Sequence, residues 1–452
     1  MRIHFIAIGG SAMHNLAIAL KEKGYEVSGS DDEIFEPSLS RLKKHGILPS
    51  AIGWDTNRIT KELDAIVLGM HARTDNPELL KAEELGLKIY SYPEYLYEQT
   101  KDKTRIVIGG SHGKTTITSM VMHVLKFAGI EFDYMVGAQL EGFENMVGLK
   151  ENTTIAVFEG DEYLTSPIDL RPKFHLYRPT IALISGIAWD HINAFPTYEG
   201  YKNQFAIFID RIVDNGTLVY CGEDSEVNEL AHQARKNIKS IPYTTHPFES
   251  SDGKATLLVN GTKLPLAVFG KHNMQNLSGA KTVCNQVGVT DEVFYQAIST
   301  FSGASKRLQR LAENQHTKVF LDFAHSPSKV SATVQAVSEA YNDRKLVACL
   351  ELHTFSSLNA EFLSQYKGTM DKSDIALVYF NPETIAHKKL SPIAPDDVKN
   401  SFMPSEVEVY TDSQMLLKKL KAIDWKNKNL LIMTSGNFSG VNLQEIAKEI
   451  AH

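Results

Sequence analysis

The eight residues Gly109-Gly110-Ser111-His112-Gly113-Lys114-Thr115-Thr116 combine three glycines with a lysine and a hydroxyl pair. Glycines let backbone N–H groups converge on phosphate oxygens, and a helix N-terminus behind them adds partial positive charge. Lys114 has the reach for terminal phosphates, and the Thr115 hydroxyl suits a magnesium ion. The chemistry expected is phosphoryl transfer from a nucleotide. The loop follows the apolar run 105–108 and precedes the helical pattern 117–125, so strand, loop and helix come in the order a phosphate cradle needs. Three residues, Gly110 to His112, stand between Gly109 and Gly113, one fewer than in the standard loop.

Further groups fall where such a site needs them. Glu159-Gly160-Asp161-Glu162 ends a buried strand at 154–158, and a carboxylate there is a magnesium ligand by type. Asp190-His191 follows the strand 180–184 and offers a ligand or a group that orients metal-bound water. Asn273 and Asn276 lie three apart at the start of a helix and share a face. Their amides offer both donor and acceptor to an adenine edge. Arg307 would stabilise charge on a transferring phosphoryl group, and Asp322, in Asp322-Phe323-Ala324-His325-Ser326-Pro327, would bind ribose. Near the N-terminus, Gly9-Gly10-Ser11-Ala12-Met13 follows a strand, and Asp31 ends the next one. That spacing resembles a pyrophosphate-and-ribose site. One chain with both loops implies two nucleotides, one a substrate handle and the other an energy source.

These residues need rigid parallel sheets to hold them. At 452 residues the length fits about three domains, and 43% hydrophobic content supports several buried cores. Strand patterns at 2–8, 25–31 and 65–69 alternate with helical ones, and the helix after Gly10 carries Met13, Leu16, Ala17 and Leu20 on one side. The Tyr- and Pro-rich residues 90–104 are expected to connect this unit to the next. Later strand patterns occupy 319–322, 345–349, 375–379 and 430–433. The fold class expected is α/β in three domains. They are a Rossmann-like domain at 1–102, a P-loop parallel sheet at 103–302 and a second Rossmann-like α/β domain at 303–452. Net charge is −7 without a basic run, which argues against nucleic acid as a partner. Cys221, Cys284 and Cys349 lack metal-site spacing and fit a reducing compartment. With neither a membrane span nor a leader segment in the sequence, a cytoplasmic location is expected.

In this order, the motifs resemble the Mur ligase family, ATP-dependent amide-forming enzymes of bacterial cell-wall synthesis. The likeness covers essentially the whole chain. It implies catalytic roles for Lys114, His191 and Arg307, with magnesium on Thr115, Glu159 and His191. It implies ATP contacts from Gly109, Gly110, Ser111, His112, Gly113, Lys114, Thr115, Thr116, Asn273, Asn276, Arg307 and Asp322. A UDP-sugar would lie against Gly9, Gly10, Ser11, Ala12, Met13, Asp31 and His71. The third domain would close over ATP and bind the incoming amine, with His353 a candidate contact. The implied substrates are ATP, UDP-N-acetylmuramate and an amine, either L-alanine or the tripeptide L-alanyl-γ-D-glutamyl-meso-diaminopimelate. Residues 34–37, 173–179 and 433–440 resemble the tripeptide-adding branch, which serves cell-wall recycling. Gly186, Asn193 and Ser326 depart from the family pattern, which usually has Asn, an acid and His there. Of the competing classes, a binding-only regulatory protein would not need Lys114, Glu159, His191 and Arg307 together. A dehydrogenase would carry a complete G-x-G-x-x-G. Lys114→Ala is expected to abolish activity with little effect on fold.

Overall fold

The apolar runs become parallel strands buried on both faces, as strands covered by helices on either side must be. Ile106, Val107, Ile108, Ala182, Leu183 and Ile184 are fully buried. The computed structural model describes residues 1–70, 72–166, 168–251 and 253–452, and strand counts refer to those residues. His71 lies outside them. Three α/β units follow one another, each around its own sheet.

The N-terminal sheet has four parallel strands in the order Glu26–Ser30, Arg2–Ile6, Ala65–Leu68, Ile89–Ser91. Residues 90–104 are not a plain connection. Ile89–Ser91 is the sheet's fourth strand, and Tyr92–Thr100 is a helix. Ser91 and Glu94 form a capping box, with Ser91 N donating to Glu94 Oε2 at 2.9 Å. The tyrosines that look like linker composition, Tyr92 and Tyr95, are core residues.

The central sheet has seven strands in the order Lys239–Tyr243, Thr217–Cys221, Ile181–Ile184, Thr104–Gly109, Ile155–Glu159, Asp133–Met135, Val147–Gly148. All pairings are parallel except the last. From Thr104–Gly109 the chain first adds strands on one side, then crosses to Ile181–Ile184 on the other. That reversal opens a crevice at the strands' carboxyl ends, where the loop 109–116 begins. The C-terminal sheet repeats the scheme in six strands, ordered Gln309–Glu313, Lys318–Asp322, Lys428–Met433, Lys345–Leu352, Ile375–Phe380, Val407–Tyr410.

A three-stranded antiparallel sheet, Phe248–Ser251, Lys254–Val259 and Thr262–Leu266, joins the central and C-terminal units. Its second hairpin turns at Asn260-Gly261, both with positive φ (47° and 79°), the dipeptide that a tight hairpin turn selects. Its buried face, Ala255, Leu257 and Leu266, shares one apolar core with Phe269, Phe320 and Tyr341. The Phe269 ring lies 5.8 Å from Phe320 and 6.0 Å from Tyr341. Gly253 N donates to Ala340 O at 2.8 Å. Each such aromatic contributes about 1.5–3 kcal/mol of burial, so the C-terminal unit is docked by a buried apolar seam.

Candidate active site

The loop 109–116 takes its shape from glycine. Gly110 and Gly113 have φ of 130° and 77°, and a methyl group at either would collide with Ser185 or Asn276. Gly113 leads into the helix Lys114–Phe127. Ser111 is buried, with its hydroxyl 2.8 Å from Tyr201 Oη and accepting from Ala188 N at 2.9 Å. This hydroxyl fastens the loop, which leaves the Ser111 backbone as the part of the residue that lines the cavity. The His112 ring occupies the space that Gly186 leaves, since any side chain at 186 would strike it. The departure at Gly186 is thereby explained by its neighbour. Burial pushes the His112 pKa down to about 4, so the ring is neutral.

Acids at the end of Ile155–Glu159 meet this loop. Thr115 Oγ1 donates to Glu159 Oε1 at 2.8 Å, and Glu159 Oε2 accepts from Gly137 N at 2.7 Å. Lys114 Nζ donates to Glu162 Oε2 at 2.5 Å and to Gly110 O at 2.6 Å. Burial opposes the Lys114 charge, but Glu162 and Asp161 outweigh it and hold the ammonium above its usual range. Burial likewise opposes the Glu162 charge, and Lys114 with His191 draws that carboxyl below its usual range. His191 Nε2 lies 3.6 Å from Glu162 Oε1. Against burial, Glu162 and Asp190 raise the His191 pKa, favouring the imidazolium. Glu162 was visible as the last acid after the strand, but only its position here makes it the partner of Lys114.

The C-terminal unit completes the site. Arg307 Nη2 donates to Thr115 Oγ1 at 3.0 Å across 192 residues of chain. Its loop is bent by positive φ at Lys306 and Leu308 (54° and 45°). Asp322 holds that bend, accepting from Leu308 N at 2.6 Å and from Ala324 N at 2.7 Å. Asp190, 3% exposed, is met by two elements of the same unit. Ser356 Oγ donates to its Oδ1 at 3.2 Å, and His325 Nε2 and Lys329 Nζ stand 3.6 and 3.9 Å from its Oδ2. Lys329 and Ser356 carry no signal in the sequence that would single them out.

Between the two units lies a cavity of about 510 Å³, a size suited to a nucleotide. Ser111 to Thr116, Glu159, His191, Asn273, Asn276, Arg307 and Asp322 all line it, and Gly109 and Gly110 do not. Asn273 Nδ2 donates to Phe269 O at 2.8 Å, and among the described residues its carbonyl oxygen has no partner. The second expected site sits apart, on the N-terminal sheet. Gly9 N donates to Asp31 Oδ2 at 2.6 Å, and burial pushes the Asp31 pKa up to about 6. Ser11 and Ala12 are exposed there, whereas the Met13 side chain is in the core. His353 lies at the carboxyl end of Lys345–Leu352, its Nδ1 3.9 Å from Glu351 Oε1 and its ring against Gly436. Glu351 anchors the 433–440 loop through Thr434 and Phe438 N. Residues 174–177 are instead packed inside, with Phe174 stacked 4.5 Å from Phe208, while Arg178 is exposed.

A magnesium ion fits the Thr115–Glu159 pair, because both offer hard oxygen donors and magnesium keeps several of its waters. Among the described residues no group of three or more His, Cys, Asp or Glu is arranged to hold a metal. A magnesium site made of two protein oxygens and phosphate needs none.

Two family models match the chain: "Mur ligase family, catalytic domain" over residues 2–104 and "Mur ligase middle domain" over 108–284. A UDP-N-acetylmuramate–L-alanine ligase of Caldicellulosiruptor bescii is 32% identical over 83% of this chain and 82% of its own. The structure of a UDP-N-acetylmuramate:L-alanyl-γ-D-glutamyl-meso-diaminopimelate ligase from Neisseria meningitides aligns at 27% identity and a TM-score of 0.60, covering 66% of this chain and 98% of that one. A UDP-N-acetylmuramate–alanine ligase from Thermotoga maritima shares the fold at a TM-score of 0.71 and 21% identity, covering 100% and 98% of the two chains. With the phosphate loop, the interdomain cavity and these likenesses in agreement, the chain belongs to the Mur ligase family of ATP-dependent, amide-forming ligases.

Proposed function

We propose that the chain joins the carboxylate of UDP-N-acetylmuramate to the amino terminus of L-alanyl-γ-D-glutamyl-meso-diaminopimelate. The observation that carries the ligase reading is the convergence of Lys114, Thr115, Glu159 and Arg307 on one cavity between two units. A carboxylate is a poor electrophile, so its oxygen first attacks the γ-phosphorus of ATP and ADP leaves. The amine nitrogen then attacks the acyl carbon, phosphate departs and the nitrogen gives up a proton. Lys114 and Arg307 neutralise charge on the transferring oxygens. For this, Lys114 must trade Glu162 for phosphate, a short move for a flexible side chain. Thr115 and Glu159 would hold magnesium, which when bound neutralises phosphate charge, and His191 would join them only as the neutral imidazole. Asn276 and the Asn273 carbonyl face the adenine, and Asp322 the ribose. The central unit, 103–302, is the ATP-binding domain, and 303–452 covers it. Within 1–102, Gly9, Gly10 and Asp31 cradle the UDP-sugar.

The tripeptide is favoured over L-alanine by the 433–440 loop. Clamped by Glu351 and set against His353, it forms an edge at the sheet's carboxyl end that suits an extended acceptor. The likeness to the Neisseria meningitides ligase supports the same reading. L-alanine is the second reading, favoured by the name of the relative at 32% identity. Phosphate release from ATP with magnesium and UDP-N-acetylmuramate separates them. The expected result is turnover with tripeptide alone. Turnover with L-alanine alone would overturn the tripeptide reading.

A further inference from the structure

Lys329 stands on the first turn of the helix Pro327–Ala340, and its side chain is 23% exposed. Among the described residues its ammonium makes no hydrogen bond, and the nearest carboxylate oxygen, Asp190 Oδ2, is 3.9 Å away. That oxygen is itself buried and has no hydrogen-bond partner among the described residues. Its other neighbour, His325 Nε2, stops at 3.6 Å. Asp190 Oδ1 is satisfied by His191 N at 2.7 Å and by Ser356 Oγ. A largely covered cation and a covered carboxylate oxygen thus face each other just beyond bonding distance. Both groups are costly to leave in that state.

Lys329 lines the same cavity as Lys114 and Arg307. Lys114 is held by Glu162, and Arg307 donates to Thr115, so both already have near partners. Of the three, Lys329 alone has a charged group that makes no hydrogen bond among the described residues. Lys271 lines the cavity as well, and a polyanion entering it would be attracted by all four cations. The N-terminus of the helix carrying Lys329 adds partial positive charge on the same side. Asp190 precedes His191, which faces Glu162 and through it Lys114, so Lys329 stands at the Lys114 end of the cavity.

We propose that Lys329 binds the terminal phosphoryl group of the nucleotide, with Asp190 holding the ammonium ready until that group arrives. The proposal rests on the nucleotide site described above. It adds a cation from the C-terminal unit, so that docking of that unit and neutralisation of the reacting phosphate become one event.

The test uses the full chain with Lys329→Met, which keeps the stem and removes the charge, and Lys329→Arg, which keeps the charge. Affinities for ADP and for the β,γ-imido analogue of ATP are measured by calorimetry with magnesium. Turnover is measured in parallel over a range of amine concentrations. In Lys329→Met, affinity for the imido analogue should fall about tenfold or more while ADP affinity stays within about twofold. Turnover should fall without a rise in the KM of the amine, and Lys329→Arg should recover most of both losses. Equal weakening of both nucleotides would overturn the proposal as a packing effect. Unchanged binding of the imido analogue would overturn it directly. A rise confined to the KM of the amine would assign Lys329 to the acceptor's carboxylate instead. Failure of the unmodified protein to bind either nucleotide would remove the nucleotide site itself, and this proposal with it.

Discussion

Lys114→Ala is expected to abolish turnover, and the geometry adds a loss of stability that the loop sequence does not disclose. Lys114 pairs at 2.5 Å with Glu162, whose side chain is 1% exposed. Removing one partner of a buried pair costs roughly 3–5 kcal/mol, because the other charge is left uncompensated. Glu162 keeps the Tyr201 hydroxyl at 3.1 Å and His191 at 3.6 Å, which places the loss near the lower bound, about 3 kcal/mol. For a unit of some two hundred residues that is a fall in Tm of about 6–12 °C. The pH dependence has a definite sign. Without Lys114, burial raises the folded-state pKa of Glu162 above its unfolded value of about 4.3. The protonated form then supports the fold at low pH, and that support is lost as pH rises through the raised value. The deficit should be small near pH 4.5 and full by pH 8. Thermal melts of Lys114→Ala and of Lys114→Ala combined with Glu162→Gln, at both pH values, decide the matter. The double variant should regain at least half of the lost stability at pH 8 and remain inactive. A single variant that melts with the unmodified protein at pH 8, or a double variant no more stable than the single, would refute the reasoning.

Gly113→Ala should lower the affinity for ADP and destabilise the fold by about 1–2 kcal/mol, because φ is 77° and Asn276 occupies the space. Gly24→Ala, at φ 90° in open space, should destabilise similarly and leave calorimetric ADP affinity unchanged. Arg307→Ala should reduce kcat about 10²–10³-fold in phosphate-release assays, and Arg307→Lys should not restore it, since only the guanidinium fork spans Thr115 and a phosphate oxygen. With burial pushing the Asp31 pKa up to about 6, the KM for the proposed substrate UDP-N-acetylmuramate should rise as pH falls from 7.5 to 5 and the carboxylate gains its proton. Asp31→Asn should flatten that profile, and an unchanged profile in the variant would remove Asp31 from the sugar site.

The parts of the site legible in the sequence are those set by local backbone rules. The loop 109–116 announces itself because positive φ at Gly110 and Gly113 and a following helix are properties of adjacent residues. Fully apolar runs such as 181–184 identify buried parallel strands for the same reason. Partners brought together by sheet order are not legible in that way. Nothing in the chain near Arg307 says that Thr115 will be its acceptor, or that Ser356 and Lys329 will meet Asp190. Residues 90–104 misled because tyrosine and proline mark both linkers and capped helices, and only the Ser91–Glu94 spacing tells them apart. The Asn260-Gly261 turn was a readable hairpin signal, but the Leu257-Leu258-Val259 run before it breaks the alternation and Pro265 interrupts the strand after it.

The buried apolar seam between the central and C-terminal units has a consequence for how the chain is made. Phe269 and the face of the antiparallel sheet emerge from the ribosome ahead of Tyr341, which covers them and lies 72 positions further along the chain. At about 5–20 residues per second that is roughly 4–15 s during which a built central unit presents an uncovered apolar patch. A chain stopped near residue 302 would keep that patch permanently. Such a fragment should bind chaperones or aggregate, even with every strand of the central sheet already present.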